Sequence, residues 1–192
     1  MNIKQRIASE DCTLDLYSAW RGSGRVRSIW PKNFILEVAR KLSDPQIATL
    51  KTLNFKDIEY ALEHYCTSIG RQAVYARYRD NLTTRDIATV NEKSINAIYD
   101  AIDDSAFMCK AYLLYIRTAA DCGMTSIYLL YPMIPRHTIY ILQRNHVYTI
   151  EQLKDRSETE LQAMSYIGPK IAKDVKKAVK MYYENKFTIS KE

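Results

Sequence analysis

Apolar residues recur along this chain at intervals of three and four, the period of a helix buried along one face. Phe34, Ile35, Val38, Ala39 and Leu42 follow Pro31 in this way, and Phe55, Ile58, Leu62 and Tyr65 follow Asn54, a fitting cap. Between them Asp44-Pro45 restarts the chain as a cap followed by proline. Gly70 is expected to break the second helix, with Arg71 to Tyr78 forming the next. Thr83 or Thr84 caps a short helix through Ile87-Ala88, Asn91 makes a turn, and another helix covers Ser94 to Ile102. Ser105 then opens an apolar helix through Tyr112, Leu113 and Ile116, which Gly123 ends from its C′ position.

Further on, Pro135 can take the first position of a helix from Arg136 to Arg144, with Ile139 and Leu142 inward. Thr149-Ile-Glu-Gln152 and Ser157-Glu-Thr-Glu160 each fit a capping box, in which side chains satisfy the free amides of a helix start. Ile167-Gly168-Pro169-Lys170 then joins one helix to the next. Gly168 admits positive φ at no steric cost, and Pro169 presets the first helical turn. In the last helix Ile171, Val175 and Ala178 face inward and Lys170, Lys173, Lys176, Lys177 and Lys180 face out.

Helix formers dominate, and five glycines and five prolines are few for 192 residues. The expected fold is all-α. The expected organisation is a flexible basic arm (1–30), a helical domain (31–125), a connector (126–133), a module of short helices (134–185) and a tail (186–192). Fifteen tyrosines at helical spacings are edges of a core. No apolar run approaches the roughly 20 residues needed to cross a bilayer, and the first residues lack an apolar signal core. Cys12, Cys66, Cys109 and Cys122 make no CxxC pair and no zinc pattern with His64, His137 and His146. Reduced cysteines in a cytoplasmic protein, with no metal or cofactor, are expected.

Charge changes the picture by where it lies. The net +6 comes from residues 131–192, with 11 Lys/Arg against 7 Asp/Glu, and from residues 1–45, with 8 against 5. The middle of the chain is slightly acidic. Arg21-Gly-Ser-Gly-Arg-Val-Arg27, between Trp20 and Trp30, is either an unstructured terminus or an arm that follows a nucleic-acid backbone. At the Gly168 turn, free amides beside a helix N-terminus favour an anion, and the lysines after it make that anion a phosphate. A solvated helix exterior would account for the same lysines.

Two short helices joined by a tight turn at 81–102 fit a helix-turn-helix, or a plain structural hairpin. Tyr78-Arg-Asp-Asn-Leu-Thr-Thr-Arg-Asp-Ile-Ala88 resembles the start of the promoter-reading region of bacterial sigma factors. The resemblance implies DNA contacts at Arg85, Lys93, Ser94 and Asn96. The usual glycine is missing from the turn, and Asp100, Asp103 and Asp104 would repel phosphates.

The run of short helices ending in an apolar-Gly-apolar turn follows a helix-hairpin-helix plan. More closely, Ile134 to Lys180 resembles the C-terminal domain of the bacterial RNA polymerase alpha subunit. The likeness rests on helix Arg136–Arg144, Val147-Tyr-Thr-Ile-Glu-Gln-Leu153, the Ser157–Leu161 cap and Tyr166-Ile-Gly-Pro-Lys-Ile171. That family sits on the DNA minor groove and contacts sigma factors and activators. Its contacts come from an arginine and an asparagine on the first helix and from the glycine, lysine and serine of a G-K-K-S turn. Gly168 and Lys170 match the glycine and second lysine. His137 stands at the arginine position beside Arg136, Tyr140 at the asparagine and Ile171 at the serine. Losing the arginine removes the best minor-groove reader and leaves a backbone clamp.

Together these features lead us to expect a non-enzymatic, transcription-associated protein that binds double-stranded DNA, RNA polymerase or a sigma factor. Arg136, His137, Gly168, Lys170, Lys173 and Lys177 are its contacts in the C-terminal module. The alternatives are a protein-interaction module that has lost DNA binding, and an accessory of nucleic-acid processing. No clustered carboxylates, metal-ligand spacing or glycine-rich nucleotide loop suggests a reaction.

Overall fold

The computed structural model describes residues 13–15, 34, 37, 38 and 52–189, with side chains at 34, 37, 38 and 55–184. Most of the expected arm, with Trp20, Trp30 and Arg21 to Arg27, lies outside the described residues, as do the Asp44-Pro45 restart and residues 190–192. The fold is all-α, as expected, with one small ribbon. β1 (Thr13–Asp15) pairs antiparallel with β2 (Thr52–Asn54), placing Leu14 opposite Leu53. The chain divides into two compact units between Leu114 and Tyr115.

In the first unit, α1 (Phe55–Tyr65) buries Phe55, Ile58, Ala61 and Leu62, the stripe its period dictates. Phe34 and Val38, from the expected helix at 31–42, join the same core. Gly70 does not break a helix. Thr67 caps α2 (Ser68–Val74) by accepting from the Gly70 amide, and Gly70 is buried within it. A Cβ there would stand 2.4 Å from Ser105 Oγ and 3.1 Å from the Ala101 carbonyl, so the missing side chain lets α2 lie close to the next long helix. A π-helical stretch, Tyr75–Arg79, follows.

Thr83, not Thr84, caps α3 (Thr84–Val90), and Asp86 returns the bond in a full capping box. Ser94 caps α4 by accepting from Ala97 N. This helix runs unbroken from Ile95 to Ala111, through the point where a new start was expected. Ser105 is inside it, its hydroxyl donating to the Ala101 carbonyl at 2.8 Å. A second π-helical stretch, Tyr112–Ile116, spans the division between the units.

The second unit begins with α5 (Arg117–Asp121), closed by Gly123 at φ 69. Gly123 N donates to Ala120 O and Met124 N to Ala119 O, the two bonds of a Schellman cap. Within residues 126–133, expected as a connector, Ile127, Tyr128 and Leu130 belong to the core. A 3-10 turn, Ile127–Leu130, buries Ile127, Tyr128 and Leu130. It is clasped to residues 148–151: Ile150 N donates to Thr125 O at 2.7 Å, Ile127 N to Tyr148 O at 3.1 Å, and Thr125 N to Glu151 Oε2 at 3.1 Å. Tyr128 stacks on Tyr115, ring centroids 4.6 Å apart, and burial pushes its hydroxyl far above the usual tyrosine pKa.

α6 (Arg136–Arg144) has the expected bounds, with Ile139 and Leu142 fully buried, though Pro135 is its N-cap and not its first residue. α7 (Glu151–Lys154) starts one residue later than a cap at Thr149 would place it. Ile150 is the N-cap, and only the Gln152 half of the box forms, accepting from the amides of Tyr148 and Thr149. α8 (Glu158–Gln162) and α9 (Pro169–Ile189) complete the unit, α9 reaching into the expected tail.

Candidate nucleic-acid interface

The Gly168 turn is built from α8 forward. Ser157 Oγ accepts from Glu160 N at 3.1 Å, and Glu160 Oε2 accepts from Ser157 N at 2.6 Å. The Ser157 amide, and after it the Ser157 hydroxyl donating to Oε2 at 2.8 Å, hold the Glu160 carboxyl below the ordinary glutamate pKa. α8 ends at Ala163, and the chain turns back through Ser165 and Tyr166. Asn145, the C-cap of α6, grips this turn with its carboxamide: Nδ2 donates to Ser165 O and Oδ1 accepts from Ser165 N, both at 2.9 Å. Ile167 drops into the core, and Gly168, exposed, becomes the residue before α9.

Gly168 was expected to supply the positive φ of this turn. It does not; Tyr166 does, at φ 66 and with 77% of its surface exposed. A Cβ on Gly168 would meet nothing within 4 Å, so neither conformation nor packing requires glycine there. The space above it is open. Gly168 also has no side chain to receive the first amides of α9, and Pro169 has no amide to offer. The N–H groups of Lys170 and Ile171 therefore point out of a bare helix start, where the helix dipole favours negative charge.

Lys170, Lys173, Lys177 and Lys180 recur at intervals of three and four on the exposed face of α9. Lys180 stands 3.7 Å from Glu184. Lys176 is different. Expected to face out, it turns inward and donates from Nζ to the carbonyls of Lys154 at 3.1 Å and Arg156 at 2.6 Å. It thus satisfies the C-terminal end of α7, as a cation does well at that pole. Beside it runs an open groove of about 660 Å³ whose lining includes Lys154, Lys173, Lys177, Lys180 and Tyr183, with Glu158 and Asp174 as the acids. The Lys154 ammonium sits 5.5 Å over the Tyr183 ring.

Arg136 and His137 occupy the first turn of α6, whereas Asn145, at its far end, is what touches the Gly168 turn. Nine residues at 1.5 Å each separate them by about 13 Å along the axis. Arg136 lies 5.8 Å over the Tyr131 ring, and His137 is exposed.

In the first unit Arg85, Lys93, Ser94 and Asn96 are all exposed around the turn between α3 and α4. The turn manages without glycine: Glu92 takes φ 52 at the C′ position, and Lys93 N donates to Ala88 O. The Ser94 hydroxyl is spent on Ala97 N at 3.1 Å. Beside these residues Val90 is exposed at 77%, Tyr99 at 57% and Ile95 at 39%, with the acids Glu92 and Asp100 among them.

No protein-family model, curated protein or solved structure matches the chain. Among the described residues no group of three or more His, Cys, Asp or Glu side chains could hold a metal ion. No helix among them is long and apolar enough to cross a membrane.

Sequence reasoning missed Asn145, Tyr166 and Lys176. Asn145 carries the ordinary signature of a helix end, and nothing local marks a partner twenty residues on. Lys176 keeps the three-four spacing of the outward lysines, three after Lys173 and four before Lys180, so nothing in the sequence marked it as turned inward.

Proposed function

We propose that this chain is a transcription-associated binding protein, cytoplasmic and without chemistry of its own, that grips double-stranded DNA by its backbone. The supporting observation is the bare start of α9, open above Gly168 and continuous with the stripe of Lys170, Lys173 and Lys177. Phosphate oxygens would accept from the Lys170 and Ile171 amides, and the ammonium groups would neutralise neighbouring phosphates. Such contacts hold position and do not read bases. The resemblance to the polymerase alpha C-terminal domain adds RNA polymerase or a sigma factor as a partner.

The test is a titration of duplex DNA at several salt concentrations. About four phosphate contacts give a slope near −3.6 in log affinity against log salt. Lys170→Ala with Lys173→Ala should flatten that slope by about 2. Lys176→Met should leave the slope alone and lower stability, because its ammonium serves two carbonyls. A wild-type slope near zero would sink the DNA-binding reading.

A second reading is a protein-interaction module without DNA contact. The exposed Val90, Ile95 and Tyr99, flanked by acids, favour it, since phosphates would be repelled there. Co-purification with polymerase without a duplex shift would select it.

A further inference from the structure

The groove beside Lys176 lies apart from the bare start of α9, and it is built as a small-molecule site is built. Its walls come from different elements. Lys173, Lys177 and Lys180 enter from α9, and Lys154 enters from the end of α7. One solvated helix face does not bring ammonium groups together from two sides. The walls are also fastened to each other. Lys176 Nζ donates to the carbonyls of Lys154 and Arg156, which ties the end of α7 to α9. At about 660 Å³ the groove has the size of sites that take one small molecule.

Charge and shape narrow the ligand. Five lysines and two acids line the groove, so an anion is favoured. Lys173, Lys177 and Lys180 follow one another at about 4.5–6 Å along the helix axis, a ladder that suits a chain of phosphates better than a single one. The other end of the groove is apolar. Val179 is buried there and Tyr183 is half-buried. The Lys154 ammonium, 5.5 Å over the Tyr183 ring, shows that one face of the ring opens to the groove. From Lys173 to Tyr183 is about 15 Å along α9. An extended nucleoside triphosphate covers such a span, with its phosphates at one end and a flat base at the other.

We propose that this groove binds a nucleoside triphosphate, its base stacked on Tyr183 and its phosphates along Lys180, Lys177 and Lys173, with Lys154 reaching over from α7. Stacking on an aromatic ring accepts any base, so the site selects for a base joined to a triphosphate and not for one base among the four. Lys173 and Lys177 also belong to the stripe assigned to DNA, but the groove takes its ligand whether or not DNA binds.

The experiment titrates ATP into the full chain by isothermal titration calorimetry without DNA, with inorganic triphosphate as the comparison. ATP should saturate at one molecule per chain and bind more tightly than inorganic triphosphate. Lys154→Ala with Lys180→Ala should weaken both by about ten-fold. Tyr183→Leu should weaken ATP by about ten-fold and leave inorganic triphosphate unchanged, and Tyr183→Phe, which keeps the ring, should bind ATP as wild type does. Should the variants fail to fold, 8-azido-ATP photolysed on the wild-type chain should label the peptide that carries Tyr183. Absence of saturable ATP binding would overturn the proposal, and so would a label confined to the first unit. Inorganic triphosphate binding as tightly as ATP, with neither changed by Tyr183→Leu, would remove the base from the site and overturn it as well. Because no DNA is present, these failures are separate from a flat salt slope in the duplex titration.

Discussion

Replacing Gly70 with alanine adds one methyl group at the tightest approach between α2 and α4. That methyl would stand 2.4 Å from Ser105 Oγ and 3.1 Å from both the Ala101 carbonyl and Thr67 Oγ1. The serine hydroxyl can rotate away, but only by giving up its 2.8 Å bond to Ala101, about 1 kcal/mol. The Ala101 carbonyl is backbone, so α4 must then retreat by a few tenths of an ångström. Thr67 Oγ1 is the cap of α2, bonded to Gly70 N at 3.2 Å, and yields only at the expense of that cap. Overpacking of this kind costs about 1–3 kcal/mol, while alanine in a helix recovers about 1 kcal/mol over glycine. With the serine bond included, the expected net loss is about 1–3 kcal/mol. Urea denaturation followed by circular dichroism should show a lower midpoint with an unchanged slope. Ser105→Ala in the same chain removes the closest contact and should return about 1 kcal/mol as a coupling between the two sites. A Gly70→Ala protein as stable as wild type would refute the close-packing account, and so would the absence of coupling to Ser105.

Two further expectations concern helix ends. Glu92 and His146 both sit at C′ positions with positive φ, at 52° and 59°, where a side chain costs about 1–2 kcal/mol relative to glycine. Glu92→Gly and His146→Gly should each stabilise by about 0.5–1 kcal/mol after the added freedom of the unfolded chain is subtracted, as a urea midpoint would read. The second concerns pH. Bonds from Ser157 depress the Glu160 pKa in the folded state, so its stabilisation is present above the ordinary glutamate value of 4.5 and is lost as pH falls through the folded one. Glu160→Gln should therefore be less stable than wild type at pH 7, with the gap closing in acid; a gap that ignores pH would refute this.

Much of the fold was legible because local chemistry and tertiary packing agreed. The bounds of α6 follow from its periodic Ile139 and Leu142, and Ser157, Ser94 and Gly123 do what their residue types do at helix ends. The misreadings have a common physical cause. Ser105 after two aspartates looks like a helix start, yet its hydroxyl bonds back to Ala101 and α4 continues. Gly70 looks like a breaker because glycine is a poor helix former, but it is kept for the space it leaves between two helices. The apolar run at 127–130 looked like a connector because it has no helical period. Burial and the clasp to Tyr148, Ile150 and Glu151 place it, and those partners lie more than twenty positions away.

In the candidate site, the lysine stripe and the bare start of α9 could be read from spacing. The left-handed residue could not: glycine was the obvious candidate, and the chain used Tyr166 instead. Nor could the inward turn of Lys176, which depends on where α7 happens to end.

The clasp between Thr125 and Ile150 also decides where this unit can be cut. A piece beginning at Ile134 would leave behind Ile127, Tyr128 and Leu130, and would turn the Ile150 amide and the Glu151 carboxylate out to water. The smallest piece that keeps its own core must therefore begin upstream of Thr125. Any transplant of α9 and its turn into another protein has to carry that clasp along with it.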